Sequence, residues 1–193
     1  MHMARLARGR WRFLLALALV ALLAAAVAPS LLASRQRAIR HVRAWAFGSQ
    51  LLEDQGVVFQ ANDAMCGHAC LMTALLRLGR DIPPDLLEQA ARAQVGLTAR
   101  ELVALSHQVG LPAQLLAVPV ACLERALSRI SLPSIALVGT HYLLVERPST
   151  PGFVVVVDPA VGRLRAPIAR LAREWRGAIV VLGADGITEP VCG

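Results

Sequence analysis

The sequence predicts an α+β fold in which helices come first along the chain and an antiparallel sheet follows. Three observations support this prediction. The amino terminus holds a long apolar segment, residues 66–110 carry apolar side chains at helical spacing, and later segments form short Val- and Ile-rich runs punctuated by Gly and Pro. Helices and strands that are segregated along a chain are typical of α+β domains.

The first 33 residues predict a membrane anchor or an export signal. Residues 13–28 are entirely apolar, and the run continues to residue 33 with only Pro29 and Ser30 interrupting it, which is about the length that crosses a bilayer. Four Arg precede the run, as in the basic region of an export signal. Two interpretations stay open. An uncleaved signal anchor is favoured by the length, whereas cleavage after Ala28 is disfavoured by Pro29.

The charge distribution separates the amino terminus from the rest of the chain. Residues 1–52 hold eight Arg and no acidic residue, whereas residues 53–193 hold twelve Arg and thirteen acidic residues. We interpret residues 34–50 as a basic juxtamembrane segment, either lying on lipid headgroups or solvated as a linker, and residues 51–193 as the folded domain. A nucleic-acid-binding domain would carry basic residues on its folded part, so we predict no nucleic-acid partner.

The orientation of the folded domain relative to the membrane is predicted from the short amino-terminal tail. Four Arg lie on each side of the apolar run, so the bias of Arg toward the cytoplasm does not decide the orientation. Because a short amino-terminal tail usually stays inside, we expect a domain in the periplasm, anchored to the inner membrane or exported. A domain facing the cytoplasm is the alternative.

Three helices are predicted after residue 65, each with a recognisable start or stop. Gly79 follows the first helix, which begins at Cys66, and Pro84 lies in the first turn of the second. Thr98 and Glu101 form a capping-box pattern at the start of the third helix, and Gly110 ends it.

The later part of the chain predicts strands with short helices between them. The strand segments combine Val, Ile and aromatic residues and are bounded by Gly or Pro. The predicted strands are residues 56–59, 112–118, 134–138, 141–146, 153–157 and 178–182, and the predicted short helices are residues 120–127 and 166–175.

Cys66 is the candidate nucleophile. A cysteine at the start of a helix lies at the positive end of the helix dipole, which lowers the pKa of the thiol and favours the thiolate. Gly67 removes side-chain bulk where a carbonyl substrate must approach. Gln60, six residues earlier, has an amide N–H group that can donate to a developing oxyanion.

His141 and Asp158 are the candidate base and orienting carboxylate. His141 opens one predicted strand and Asp158 ends the next, so the two side chains lie at the same end if these strands form a hairpin. A carboxylate there holds the imidazole in the tautomer that a nucleophile needs. Each of the three residues alone has an ordinary structural explanation, as a buried small residue, a strand-end histidine or a turn. Their order and topology together favour catalysis.

The combined pattern resembles the bacteriocin-processing peptidases that remove double-glycine leaders, a papain-like family often fused to ABC exporters. The matching residues are Gln60, the run Cys66-Gly67-His68-Ala69-Cys70-Leu71, the pair His141-Tyr142, and Asp158-Pro159 followed by Gly162. The similarity spans about residues 57–183. The chain departs from the family at Met65, where Asp is common, and at Thr140, which is inserted before His141. No transporter or ATPase segment follows, so we expect a stand-alone form.

The resemblance implies a papain-like fold, a catalytic triad of Cys66, His141 and Asp158, and Gln60 as the oxyanion residue. It further implies a cysteine peptidase that needs no metal or organic cofactor and acts through an acyl-enzyme on an exported peptide or protein. Its expected partners are the peptide or protein substrate, the inner membrane, and a separately encoded exporter or secretion system. The alternatives are a non-catalytic leader-binding module and a cell-wall peptide hydrolase.

The remaining Cys and His residues carry weaker predictions. Cys70 lies one turn after Cys66, where we favour packing over a metal or redox pair. Cys122 and Cys192 can pair in an oxidising compartment. We expect His68 to be solvated or to line the cleft, and His107 to lie at a helix end. The Cys and His spacing does not predict a zinc site.

Overall fold

A computed structural model of the protein describes residues 3–46, 48–52, 56–130 and 133–183. The chain divides into two units, Met1–Val42 and Arg43–Gly193. The helices are α1 (Met3–Ala46), α2 (Cys66–Arg77), α3 (Pro84–Arg92), α4 (Ala99–Gln108), α5 (Leu123–Arg129) and α6 (Ile168–Arg173). The strands are β1 (Gln50–Leu51), β2 (Ala113–Ala117), β3 (Ser134–Val138), β4 (His141–Thr150), β5 (Phe153–Asp158), β6 (Gly162–Pro167) and β7 (Trp175–Leu182).

The amino-terminal helix α1 is longer than the apolar run that predicted it. It continues past Pro29 and includes most of the segment interpreted as a juxtamembrane linker. Within the described residues, no helix is both long and apolar enough to cross a membrane. The predicted transmembrane helix is therefore not supported by the structure.

The strands form a seven-stranded sheet in the order β1-β6-β5-β4-β3-β7-β2, and every neighbouring pair is antiparallel. The predicted α+β class is confirmed, because α2, α3 and α4 precede most of this sheet in the chain. The catalytic candidates lie on α2, β4 and β5, and β4 and β5 are adjacent near the middle of the sheet.

Both faces of the sheet are covered by apolar packing, and successive side chains of β4 alternate between the two faces. Leu144 packs with α2 and its neighbours on one face. Val145 packs with residues of α5 and α6 on the other. Because side chains alternate along a strand, a strand buried on both faces is apolar at every position. This explains the uninterrupted run of Val residues in β5.

Several predicted elements need correction. Residues 56–59 are not a strand, because the Val58 N–H donates to the Thr73 hydroxyl oxygen at 3.0 Å and so ties this segment to α2. Strand β6 was not predicted, although Arg163 and Arg165 alternate with apolar residues at the spacing of a half-buried strand. The helix predicted from residue 166 begins at Ile168, after β6 has ended.

An ion-pair cluster joins α2 to the sheet. The Glu146 carboxylate on β4 binds Arg77 at the end of α2 at 3.0 Å and Arg163 on β6 at 2.7 Å. The Glu146 side chain is 15% exposed, so these charges are screened less than surface pairs are. The cluster holds the carboxyl end of α2 beside β4, while the amino end carries Cys66.

Candidate active site

Cys66 opens helix α2. A short 3₁₀ turn, Asp63–Met65, leads into the helix, and the Asn62 side chain accepts a hydrogen bond from the Ala64 N–H at 2.9 Å. Cys66 is only 3% exposed. Cys66 lies at the positive end of the helix dipole, as the sequence predicted, and its thiol is also largely desolvated.

His141 is positioned by a two-residue hairpin turn between β3 and β4. Val138 pairs with His141 across this turn. Gly139 has a φ of +61°, the conformation that the first residue of a type II′ turn requires and that glycine adopts readily. The Gly139 N–H donates to the Glu174 carbonyl at 2.7 Å, and the Gly139 carbonyl accepts from Arg176 Nε at 3.0 Å. These bonds fix the start of β4.

Asp158 lies beside His141 because β5 runs antiparallel to β4. His141 Nε2 is 2.9 Å from Asp158 Oδ1, and the same oxygen accepts a hydrogen bond from the Ala160 N–H at 2.8 Å. The backbone of the turn that follows β5 thus orients the Asp158 carboxylate. With Nε2 engaged, Nδ1 is the ring nitrogen left for the Cys66 thiol, to which His141 is also hydrogen-bonded. The predicted hairpin arrangement is confirmed.

The surroundings of the thiol and the imidazole favour a thiolate–imidazolium pair. Burial raises the pKa of the Cys66 thiol, but the His141 hydrogen bond, the backbone of Tyr142 and Gly67, and the His141 charge lower it, so the net pKa is below its ordinary value. Burial lowers the pKa of His141, whereas the hydrogen bonds and charges of Asp158 and Cys66 raise it to about 10. Proton transfer from sulfur to nitrogen is therefore favoured in the resting site.

A backbone hydrogen bond holds Gln60 beside the residues that follow Asp158. Its backbone N–H donates to the Pro159 carbonyl at 3.0 Å, directly after Asp158. Its side-chain Nε2 donates to Asp63 Oδ1 at 3.3 Å, and its Oε1 is buried without a hydrogen-bond partner. A primary amide nitrogen has two hydrogens, so one remains for a substrate oxygen.

Comparison with known proteins places this site in a family. Residues 54–185 match the model of the Peptidase C39 family. The chain belongs to this family. It is a cysteine peptidase. No curated protein matches the chain.

Solved structures share the fold of this C39 peptidase. A double glycine motif protease from an AMS/PCAT transporter, solved in complex with the leader peptide, is 20% identical, with a TM-score of 0.56 over 69% of this chain and 96% of that one. The peptidase domain of Streptococcus ComA, a bifunctional ABC transporter of a quorum-sensing pathway, is 22% identical, with a TM-score of 0.56 over 65% and 95%. At these identities the likeness establishes the papain-like fold alone.

The remaining Cys and His residues of the C39 peptidase differ in part from expectation. His68 is not solvated: it is 4% exposed, and burial lowers its pKa. Cys70 is a buried free thiol. His107 lies near the end of α4 and bonds the Ala113 carbonyl at 2.9 Å. Cys122 is disulfide-bonded, and its predicted partner, residue 192, lies outside the described residues.

The described residues contain no group of three or more His, Cys, Asp or Glu side chains arranged to hold a metal ion. The site contacts that sequence analysis missed involve the backbone. The Tyr142 N–H bonds the Cys66 sulfur, and the Tyr142 carbonyl accepts from Cys70 Sγ at 3.4 Å. Only the spacing of four between the two cysteines could have indicated that both face the same strand.

Proposed function

We propose that this C39 peptidase removes a leader from an exported peptide by cleaving after a double-glycine-like site, through an acyl-enzyme formed on Cys66. The observation that carries the proposal is the linked set of Cys66, His141 and Asp158, in which the thiol pKa is lowered and the imidazole pKa is raised to about 10. The family membership and the leader peptide bound to a solved structural neighbour support the substrate class.

The first half-reaction forms the acyl-enzyme. The Cys66 thiolate attacks the scissile carbonyl carbon, a C–S bond forms, and the carbonyl oxygen becomes an oxyanion. Gln60 Nε2 and the Cys66 backbone N–H donate hydrogen bonds to that oxygen. The C–N bond then breaks as His141 gives its proton to the leaving amine, while Asp158 keeps the imidazole oriented.

The second half-reaction releases the leader. His141, now neutral, takes a proton from a water molecule, and the resulting hydroxide adds to the thioester carbon. The C–S bond breaks, the leader leaves as a carboxylic acid, and the Cys66 thiolate with protonated His141 is restored. These steps use Cys66, His141, Asp158 and Gln60 together with one water molecule.

We further propose that the domain works in the periplasm, tethered through its amino terminus. The basic residues followed by an apolar run support the tether. The disulfide at Cys122 supports an oxidising compartment. A carboxy-terminal alkaline phosphatase fusion should then be active. A fluorescent green fluorescent protein fusion together with an inactive phosphatase fusion would instead place the domain in the cytoplasm.

The peptidase proposal is tested with two matched peptides, one with a Gly-Gly pair before the cleavage site and one with Val-Val there. Wild-type protein should cleave the first after its second glycine and leave the second intact, as read by mass spectrometry. Cys66→Ala should cleave neither while still binding the first. Cleavage by Cys66→Ala at the wild-type rate would overturn the catalytic assignment, and equal cleavage of both peptides would overturn only the leader specificity.

A further inference from the structure

The backbone of Tyr142 occupies an unusual position in the sheet. Because the two-residue turn closes on the hydrogen-bonded pair Val138–His141, the Tyr142 N–H and carbonyl point away from β3. On the other side, the pairing of β4 with β5 begins only at Leu144. Tyr142 therefore faces no ladder partner on β5, although it is only 3% exposed.

The first two turns of α2 provide the missing partners. Cys70 Sγ donates to the Tyr142 carbonyl at 3.4 Å in a buried contact, and the Tyr142 N–H donates to the sulfur of Cys66. A buried peptide group without a hydrogen-bond partner is destabilising, so both sulfur contacts stabilise this packing. The same peptide segment of β4 is thus bonded to both cysteines.

Two contacts one helical turn apart define the direction of α2 relative to β4. Cys66 and Cys70 are four residues apart and so lie on one face of the helix, separated by about 6 Å along its axis. With only the Cys66 contact, the helix end could pivot against the strand. With both contacts, Cys66 keeps its position beside His141, which directly precedes Tyr142 in the chain.

Close packing around Gly67 restricts the angle between α2 and β4. A Cβ atom added at Gly67 would lie 3.3 Å from Cδ2 of the Tyr142 ring and 3.4 Å from Cδ1 of Leu97. The helix and the strand therefore already touch beside the nucleophile. A change of angle between them would have to move Cys66 relative to His141.

We propose that Cys70 is a positioning residue: by donating its S–H to the Tyr142 carbonyl, it holds the Tyr142 N–H on the Cys66 sulfur and keeps His141 aligned with the nucleophile. This inference rests on the proposed function of Cys66. Burial raises the pKa of Cys70 well above its ordinary value, so the thiol keeps the proton that it donates. Cys70 acts through Tyr142 and does not touch the reacting atoms.

The test compares Cys70→Ala, which removes the donor, with Cys70→Ser, which restores an O–H group on a slightly shorter bond. Cys70→Val is the donor-free variant that keeps more of the side-chain volume if the Ala variant folds poorly. Leu75→Val is the matched packing control, because Leu75 is buried in the same core cluster but lies about 140° around the helix from Cys70.

The primary measurement is the pH dependence of iodoacetamide alkylation of Cys66 in the full chain, which requires no substrate. Cys70→Ala and Cys70→Val should raise the alkylation midpoint and lower kcat about tenfold with KM within a factor of two, since small misplacements of reacting groups carry such costs. Cys70→Ser should recover most of both quantities. Leu75→Val should lower the melting temperature without moving the midpoint.

An unchanged alkylation midpoint in both donor-free variants would overturn the inference, as would an equal shift in Leu75→Val. If the midpoint shifts as expected but no peptide is cleaved by any form of the protein, the positioning role stands and the proposed leader-peptidase function fails. The two proposals are therefore separated by the same set of proteins.

Discussion

Replacing Asp158 by Asn separates the charge of this residue from its orienting role. Asp158 Oδ1 lies 2.9 Å from His141 Nε2 and accepts from the Ala160 N–H at 2.8 Å. An Asn side chain has the same shape, and its carbonyl oxygen can accept both bonds. The substitution therefore keeps the imidazole in place and removes the negative charge, whereas Asp158→Ala removes both.

The size of the effect expected for Asp158→Asn follows from the raised pKa of the His141 imidazole. The difference between the ordinary pKa of 6.5 and a pKa of about 10 corresponds to about 5 kcal/mol of net preference for the protonated ring. Asp158 and Cys66 share this stabilisation, with Asp158 contributing more in hydrogen bonding and in charge. Loss of about half of it would reduce the thiolate–imidazolium equilibrium constant about 10²-fold.

The same pKa shifts determine in which direction the pH dependence of alkylation and of cleavage changes. Wild-type alkylation of Cys66 should rise below the ordinary thiol pKa and stay high, and peptide cleavage should fall again as pH passes about 10, when His141 loses its proton. In Asp158→Asn the imidazolium is less stable, so the alkylation midpoint should move up by about one to two pH units.

The assay is the rate of iodoacetamide labelling of Cys66 between pH 5 and pH 10, measured in wild type, Asp158→Asn and Asp158→Ala. Asp158→Ala should show at least the midpoint shift of Asp158→Asn together with a larger loss of cleavage, because the ring is no longer oriented. A wild-type midpoint in Asp158→Asn would refute the argument that the carboxylate charge stabilises the ion pair.

Three further predictions use other parts of the site. Gln60→Ala should lower kcat by about 10²–10³ with KM nearly unchanged, because its amide matters mainly when the oxyanion develops, and a change confined to KM would contradict this role. Iodoacetamide at neutral pH should label Cys66 well ahead of Cys70, because the pKa of Cys66 is lowered whereas that of Cys70 is raised; equal labelling in a peptide map would count against an activated nucleophile. Glu146→Gln should lower the free energy of unfolding in urea by about 2 kcal/mol, whereas the exposed control Glu88→Gln should change it by less than about 0.5 kcal/mol; similar effects would remove the structural role of the ion-pair cluster.

The local signals in the sequence predicted the elements that carry the site. The capping box at Thr98 and Glu101 is present with both of its hydrogen bonds. Helix α2 begins at Cys66, as the apolar spacing indicated, and β3 spans residues 134–138 as predicted. These features depend on neighbours within a few residues, so a local pattern is enough to reveal them.

Elements whose pattern is set by tertiary neighbours were predicted poorly. Strand β6 pairs with β5 and places Arg163 against Glu146, so Arg163 belongs to an ion-pair cluster whose carboxylate lies 17 residues away in the sequence. Residues 56–59 have a strand-like composition, yet their backbone is bonded to the side chain of Thr73. In both cases the partner is distant in the sequence.

The sequence by itself predicted which side chains form the candidate site: the thiol, the imidazole, the carboxylate and the amide. Only the tertiary structure decided how they are held. The contact between Cys70 and Tyr142 joins residues 72 positions apart, the Gln60 side chain is bonded to Asp63, and His68 is buried. Residue types and spacing are local properties of a chain, whereas burial and backbone partners arise only when distant segments pack, and the pKa values of the reacting groups depend on that packing.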